Sequence, residues 1–107
     1  MNTAIKARDT VRPAIHPGEV LKDELDVPDM SAAQLARAID VSPNRVSRIL
    51  SGKRANSTDT ALRLGYWLGT GPEFWLNLQR QYEFRLIEQT DGAAIRSRIT
   101  PLAHSVA

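Results

Sequence analysis

Polar and basic side chains between residues 42 and 54 have the chemistry needed to hydrogen-bond to nucleic acid. Asn44, Arg45 and Arg48 carry amide and guanidinium groups, which form paired hydrogen bonds with base edges in the major groove of DNA. Lys53 and Arg54 follow as a basic pair, and such cations contact the phosphate backbone. The residues predicted to contact DNA are Gln34, Ser42, Asn44, Arg45, Ser47, Arg48, Lys53 and Arg54.

Two short helices joined by a tight turn are predicted to position these side chains. Ser31 followed by Gln34 has the form of a capping box, and Ser42 followed by Pro43 is a typical helix start. Asp40 falls at the turn, where its tolerance of left-handed backbone is useful. The second helix hides aliphatic residues on one side and shows Asn and Arg on the others, which suits the major groove. The residues alone are also consistent with an ordinary helical hairpin, in which the arginines only face solvent.

Composition limits the other function classes. The chain of 107 residues has the length of one domain, and it has no cysteine, so disulfides and thiol chemistry are excluded. His16 and His104 lie at opposite ends of the sequence, so neither a metal site nor a catalytic dyad is predicted. No catalytic residue, cofactor or small-molecule substrate is expected. The absence of a long apolar run and of a signal-peptide pattern predicts a cytoplasmic protein outside the membrane.

The charges are segregated along the chain, although the net charge is only +2. Residues 37–54 have a net charge of +4, whereas residues 19–29 have a net charge of −4. The acidic side chains are Glu19, Asp23, Glu24, Asp26 and Asp29. Such segregation indicates two faces with different partners. The alternative is that the acidic residues only keep the domain soluble.

Three further helices are predicted around the central pair. A first helix begins at Pro17 and continues to about Leu25, a fourth follows Ser57 to about Leu68, and a fifth runs from Pro72 to about Glu88. The predicted organisation is a flexible arm at residues 1–14, a helical domain at 15–89 and a tail at 90–107. Asp91-Gly92 is predicted to break the fifth helix, and alternation from Ile95 to Ile99 suggests a short extended segment.

The fifth helix is apolar on two sides. A core face is predicted from the residues Phe74, Trp75, Leu78, Tyr82 and Leu86. A second stripe consists of Leu76, Phe84 and Ile87, and it predicts a dimer interface. The alternative is that the C-terminal tail folds back over this second stripe.

From His16 to about Glu88 the chain resembles the HigA family of bacterial antitoxins, within the Xre/Cro-type helix–turn–helix class. The matching segments are His16-Pro17-Gly18-Glu19-Val20-Leu21, Gln34-Leu35-Ala36, Val41-Ser42, Arg45-Val46-Ser47-Arg48-Ile49, Gly52-Lys53-Arg54, Thr60-Ala61-Leu62-Arg63-Leu64 and Pro72-Glu73-Phe74-Trp75-Leu76-Asn77-Leu78-Gln79. The resemblance implies an all-α, five-helix, lambda-repressor-like domain that forms a homodimer and binds double-stranded operator DNA. It also implies repression of the protein's own operon and neutralisation of a cognate toxin, a RelE-like ribonuclease that cuts mRNA.

Three positions depart from the pattern of the family. Asp40 stands where glycine is common, Asn56 where an aliphatic residue is usual, and Gly65 where alanine is usual. None of the three removes a predicted DNA contact. The toxin-binding site is not part of the resemblance, and the charge pattern alone assigns it to Glu19, Asp23, Glu24 and Asp26. A stand-alone Xre-type regulator without a toxin is the alternative function, because such regulators share these motifs.

Overall fold

The computed structural model of the chain describes residues 13–103 and contains five α-helices in this part. They are α1 (Pro17–Asp26), α2 (Ala32–Ile39), α3 (Pro43–Leu50), α4 (Thr58–Leu68) and α5 (Pro72–Arg98). The described range contains no β-strand. The predicted all-α, five-helix fold is therefore confirmed. Residues 1–12 of the predicted arm and residues 104–107 of the predicted tail lie outside the described residues.

The predicted serine caps begin three of the helices. Ser31 Oγ accepts a hydrogen bond from the N–H of Gln34 at 3.1 Å, and Gln34 Oε1 accepts one from the N–H of Ser31 at 2.8 Å. Ser42 Oγ accepts from the N–H of Arg45 at 3.2 Å, and Ser57 Oγ accepts from the N–H of Thr60 at 3.3 Å. Each cap satisfies a backbone donor that the first turn of a helix leaves free.

The first helix begins with a histidine cap. His16 Nδ1 accepts a hydrogen bond from the N–H of Gly18 at 2.9 Å, while the N–H of His16 donates to Glu19 Oε2 at 3.3 Å. The imidazole ring also packs edge-on against Tyr82 of α5, with ring centroids 4.9 Å apart. The segment His16-Pro17-Gly18-Glu19 therefore starts α1 and ties it to α5.

One hydrophobic core connects the five helices. Trp75 of α5 is fully buried in it, and its indole N–H donates to Thr70 Oγ1 at 2.9 Å. The buried apolar residues are Leu21, Leu25, Leu35, Ala36, Ile39, Val46, Ile49, Ala61, Leu64 and Trp75. Every helix contributes at least one of them, so the orientation of each helix is coupled to the others through packing.

Two glycines allow helices to approach more closely than any other residue would permit. A Cβ at Gly18 would overlap the carbonyl oxygen of Ile49, so α1 packs directly on the last turn of α3. A Cβ at Gly65 would overlap the backbone of Gly71 and Pro72, where α5 begins. Close packing therefore explains the glycine at position 65.

Asn56 joins the segment after α3 to α5 through buried hydrogen bonds. Its N–H donates to Gln79 Oε1 at 2.8 Å, and its Nδ2 donates to the carbonyl oxygen of Trp75 at 3.1 Å. Gln79 Nε2 in turn donates to Glu83 Oε2 at 2.9 Å. Asn56 and Gln79 are both buried. The polar residue at position 56 therefore serves the fold rather than DNA contact.

The predicted core face of α5 is partly wrong. Phe74 and Leu86 are 42% and 39% exposed, whereas Gln79, which was not assigned to the core, is 8% exposed. Leu76, predicted to belong to the dimer stripe, is half-buried against the core of its own chain. The polar Gln79 lies inside because Asn56 satisfies its side chain, a partner that helical periodicity cannot reveal.

The predicted end of α5 is also wrong. The helix does not break at Asp91-Gly92 but continues to Arg98, and the extended segment from Ile95 to Ile99 is absent. Glycine inside a helix costs only about 1 kcal/mol relative to alanine. Glu88 and Arg96 form a 3.0 Å ion pair that spans Gly92. The positive charge of Arg98 in the last turn interacts favourably with the negative end of the helix dipole.

Replacing Gln79 with leucine is expected to destabilise the fold. The N–H of Asn56 would lose its buried acceptor, which costs about 1–3 kcal/mol. Urea unfolding followed by circular dichroism measures the change in the free energy of unfolding. Gln81→Leu is the control, because Gln81 is exposed two residues along the same helix. Equal stability of Gln79→Leu and the control would contradict a structural role for this hydrogen bond.

Candidate nucleic-acid interface

The third helix presents a polar surface above a buried one. Val46 and Ile49 are each 1% exposed, whereas Asn44, Ser47 and Arg48 are exposed. The turn before α3 sets this orientation through Asp40, which adopts the left-handed conformation (φ 60°, ψ 53°) as predicted. A short helix with these side chains free on its outer side has the form of a helix that enters the major groove.

The basic pair lies directly at the C-terminal end of α3. The N–H groups of Lys53 and Arg54 both donate to the carbonyl oxygen of Arg48, at 2.8 and 3.1 Å. Gly52 has a positive φ of 78°, which turns the chain at this point. Both basic side chains are exposed. They are therefore held next to α3, where a phosphate backbone would pass beside a helix in the groove.

Gln34 and Ser42 lie at the N-terminal ends of α2 and α3. Both residues are exposed, and both use their side-chain oxygen as a cap acceptor. The amide N–H groups of Gln34 and the hydroxyl hydrogen of Ser42 remain the donors of these side chains. Helix N-termini attract anions, so both positions are suited to phosphate contact.

Arg45 lies at the edge of this surface, where it contacts the fourth helix. Its Nη1 donates to Asp59 Oδ2 at 2.6 Å, and its side chain is 27% exposed. Arg63 Nε donates to the same oxygen at 2.9 Å. Arg63 Nη1 also donates to the carbonyl oxygens of Ile39 and Asp40, at 2.9 and 3.0 Å. The residues of α2, the turn, α3 and α4 are thereby joined in one polar network.

The sequence-based prediction missed Asp59 and Arg63. One signal was present, because Asp59 is the only acidic residue between Asp40 and Glu73. The hydrogen bonds from Arg45 and then Arg63 lower the pKa of the Asp59 carboxyl below its ordinary value of 3.8. A lowered pKa keeps the ion pairs intact above that value, and they are lost only as the pH falls through the lower pKa of the folded state.

The predicted acidic side chains are all exposed. Glu19, Asp23 and Glu24 are exposed on α1. Asp26 is also exposed on α1, and it borders a groove of about 450 Å³ between α1 and α3, which Ser47 and Ser51 also line. Asp26 is therefore a neighbour of α3. Asp29 is exposed after α1, where its backbone has a positive φ of 53°.

The outer side of α5 is apolar and open. Phe84 is 62% exposed and Ile87 is 49% exposed. Together with Ile95 they line a shallow groove of about 500 Å³ along the second half of the helix. The second stripe of α5 therefore extends beyond the predicted end of the helix.

Neither a metal cluster nor a membrane-spanning helix is found in residues 13–103. No three acidic, histidine or cysteine side chains within that range gather closely enough to hold an ion. None of its helices is both long and apolar enough to cross a bilayer.

Comparison with known proteins places this surface in a family. The helix–turn–helix family model matches residues 28–65, which include α2, α3 and most of α4. The structure of an addiction module antidote protein of the HigA family from Coxiella burnetii is 46% identical, with a TM-score of 0.82 over 85% of this chain and 100% of that one.

Two further relatives agree with this match. The structure of the Pseudomonas aeruginosa antitoxin HigA with the higBA promoter is 43% identical, with a TM-score of 0.81 over 84% of this chain and 99% of that one. Antitoxin HigA-1 from Vibrio cholerae is 38% identical over 73 residues, which are 67% of this chain and 69% of that protein. These matches show that the chain belongs to the HigA family of helix–turn–helix antitoxins.

Proposed function

We propose that this protein is the antitoxin of a type II toxin–antitoxin system, which binds operator DNA as a dimer and represses its own operon. Its second activity is neutralisation of a RelE-like ribonuclease toxin that cuts mRNA. The observation that carries the proposal is the geometry of α3, which exposes Asn44, Ser47 and Arg48 above two buried aliphatic residues. It is supported by a 43% identical relative whose structure contains promoter DNA.

Base reading is assigned to the first two turns of α3. Asn44 and Arg45 lie in the first turn, and Arg48 lies one turn further. Asparagine pairs with adenine and arginine with guanine through two hydrogen bonds each. Phosphate contacts are assigned to Gln34, Ser42, Lys53 and Arg54, which surround α3 at helix ends and in the following loop.

Arg45→Ala is expected to relax the base preference at one position in each half-site. Loss of a bidentate pair removes about 1–3 kcal/mol of discrimination against the wrong base. Affinities for single-base variants of the operator, measured by fluorescence anisotropy, give this preference position by position. Lys53→Ala is the matched control, because losing a phosphate contact weakens binding to all sequences alike and lowers the salt slope by about one unit. An Arg45→Ala protein that keeps every base preference would exclude this arginine as a reader.

The dimer is assigned to the outer face of α5. Phe84 and Ile87 are exposed there, and Ile95 extends the apolar surface by two turns. Leu76 contributes less, because it packs partly on its own core. A second copy related by a two-fold axis would meet the same surface, and its α3 would lie about 34 Å away, one turn of duplex.

Phe84→Glu is expected to give a folded monomer with much weaker operator binding, because a buried charge at the interface has no partner. Light scattering measures the mass, and circular dichroism checks the fold. Tyr66→Glu is the control, since Tyr66 is 77% exposed on α4 and lies outside the proposed interface. A Phe84→Glu dimer together with a Tyr66→Glu monomer would move the interface to α4.

The toxin site is assigned to the acidic surface of α1. A ribonuclease must hold RNA phosphates, so its active face is expected to be basic. Glu19, Asp23 and Glu24 offer the opposite charge on the exposed part of α1. Asp26 also belongs to the proposed site, although it lies close to α3. Opposite charges speed encounter and fix orientation more than they add affinity.

Neutralising Asp23 and Glu24 as Asp23→Asn and Glu24→Gln is expected to slow association with the ribonuclease encoded beside this protein. Asp26 is left unchanged, because it lies next to α3 and a substitution there could alter operator binding as well as toxin binding. Stopped-flow association at low and high salt measures the rate and its salt dependence. The control with the same change in net charge is Glu73→Gln with Asp91→Asn, both exposed on α5. Equal association rates for the two double variants would contradict docking at α1. The absence of any neighbouring ribonuclease gene would favour the stand-alone regulator.

A further inference from the structure

Asp59 is the one acidic residue in an otherwise neutral or basic stretch. No other Asp or Glu occurs between Asp40 and Glu73, a stretch that contains α3, the basic pair and α4. Asp59 lies in the first turn of α4, and its Oδ2 accepts from both Arg45 and Arg63. Arg63 is itself fixed by the carbonyl oxygens of Ile39 and Asp40. Arg63 therefore links the Asp59 carboxylate to the turn between α2 and α3.

Folding stability does not account for this arrangement. The side chain of Asp59 is 54% exposed, and exposed ion pairs contribute little to stability. An acidic residue in the first turn is favoured by the dipole of α4, but that effect does not require Arg45. For the proposed DNA binding a negative charge beside Arg45 is unfavourable, because it repels phosphates and offsets the charge of the arginine. The benefit of Asp59 must therefore lie in the effect of its carboxylate on a neighbouring side chain.

The hydrogen bond from Arg45 to Asp59 fixes the orientation of the Arg45 guanidinium group. An unpaired arginine has many side-chain conformations, and its guanidinium contacts phosphates as readily as bases. Asp59 engages one N–H of Nη1 at 2.6 Å and leaves the remaining donors of the same planar group for another partner. Reading guanine needs two parallel hydrogen bonds from one guanidinium edge, so a fixed plane favours this pairing over looser phosphate contacts.

We propose that Asp59 is a specificity-determining positioning residue, which holds the Arg45 guanidinium in the orientation that reads a guanine of the operator. The inference rests on the proposed DNA-binding function and names a residue that acts through Arg45. Arg63 supports Asp59 in the same network by donating to the same carboxylate oxygen, Oδ2.

The test is Asp59→Asn in the full-length protein, with single-base variants of the operator and a random duplex as probes. The variant keeps the shape but removes the charge, so the strong charge-assisted hydrogen bond from Arg45 is replaced by a weaker neutral one. The preference at the position that depends on Arg45 is expected to fall by at least about fivefold, the lower limit for a bidentate arginine–guanine pair. Affinity for the random duplex is expected to rise, because a like charge near the phosphates is gone.

Asp40→Asn is the matched control. It removes one negative charge from a residue that Arg63 also contacts, and asparagine tolerates the left-handed conformation that Asp40 adopts. Only the backbone oxygen of Asp40 takes part in the Arg63 network, so this network remains. The control is expected to raise affinity for all duplexes and to leave every base preference unchanged. Circular dichroism melting checks that both variants are folded.

A double-mutant cycle with Arg45→Ala separates the possible outcomes. Asp59→Asn is expected to change base preference only when Arg45 is present. Unchanged preferences in Asp59→Asn, or an equal loss at all positions, would overturn the positioning role and leave the proposed DNA binding intact. If Arg45→Ala also keeps every preference, both the positioning role and the assignment of Arg45 as a reader are wrong. If the wild-type protein does not distinguish operator from random duplex, the proposed function itself fails.

Discussion

The helix that carries the candidate base contacts is too short to be stable by itself. Isolated helices below about 12–15 residues are marginal in water, and α3 has eight residues. Its conformation and direction therefore depend on neighbours. Gly18 brings α1 against its last turn, and the left-handed Asp40 fixes its start relative to α2. Asn56 ties the following segment to α5. These contacts come from sequence segments that no base or phosphate need touch.

The same dependence explains the opening motif. His16 caps α1 and packs on Tyr82, which fixes the helix relative to α5, and Gly18 then meets the carbonyl oxygen of Ile49. A larger residue at position 18 would push α3 outward without changing any side chain of its polar surface. The opening motif of α1 thus acts on the position of α3 rather than on its chemistry.

Local interactions made much of the fold predictable, whereas distant ones did not. Caps at Ser31, Ser42 and Ser57 involve residues three positions apart, so the sequence shows both partners together. Asp59 and Arg45 are 14 residues apart, and Asn56 and Gln79 are 23 residues apart. No periodicity links such partners. The buried Gln79 and the paired Arg45 were therefore outside the reach of sequence patterns.

The helix break predicted at Gly92 was also wrong, and this error concerns the length of α5. Glycine and alternating isoleucines favour a break locally, yet α5 continues for six residues after Gly92. These added turns extend an apolar side beyond Trp75 and Gln79, the residues that anchor α5 to the core. One helix thus carries both the buried residues that bind the segment after α3 and an exposed apolar surface. In a dimer formed through that surface, the spacing of the two α3 helices would be set by a continuous helix and not by a flexible linker. Such a connection favours one half-site spacing over others, since a helix transmits position with little bending.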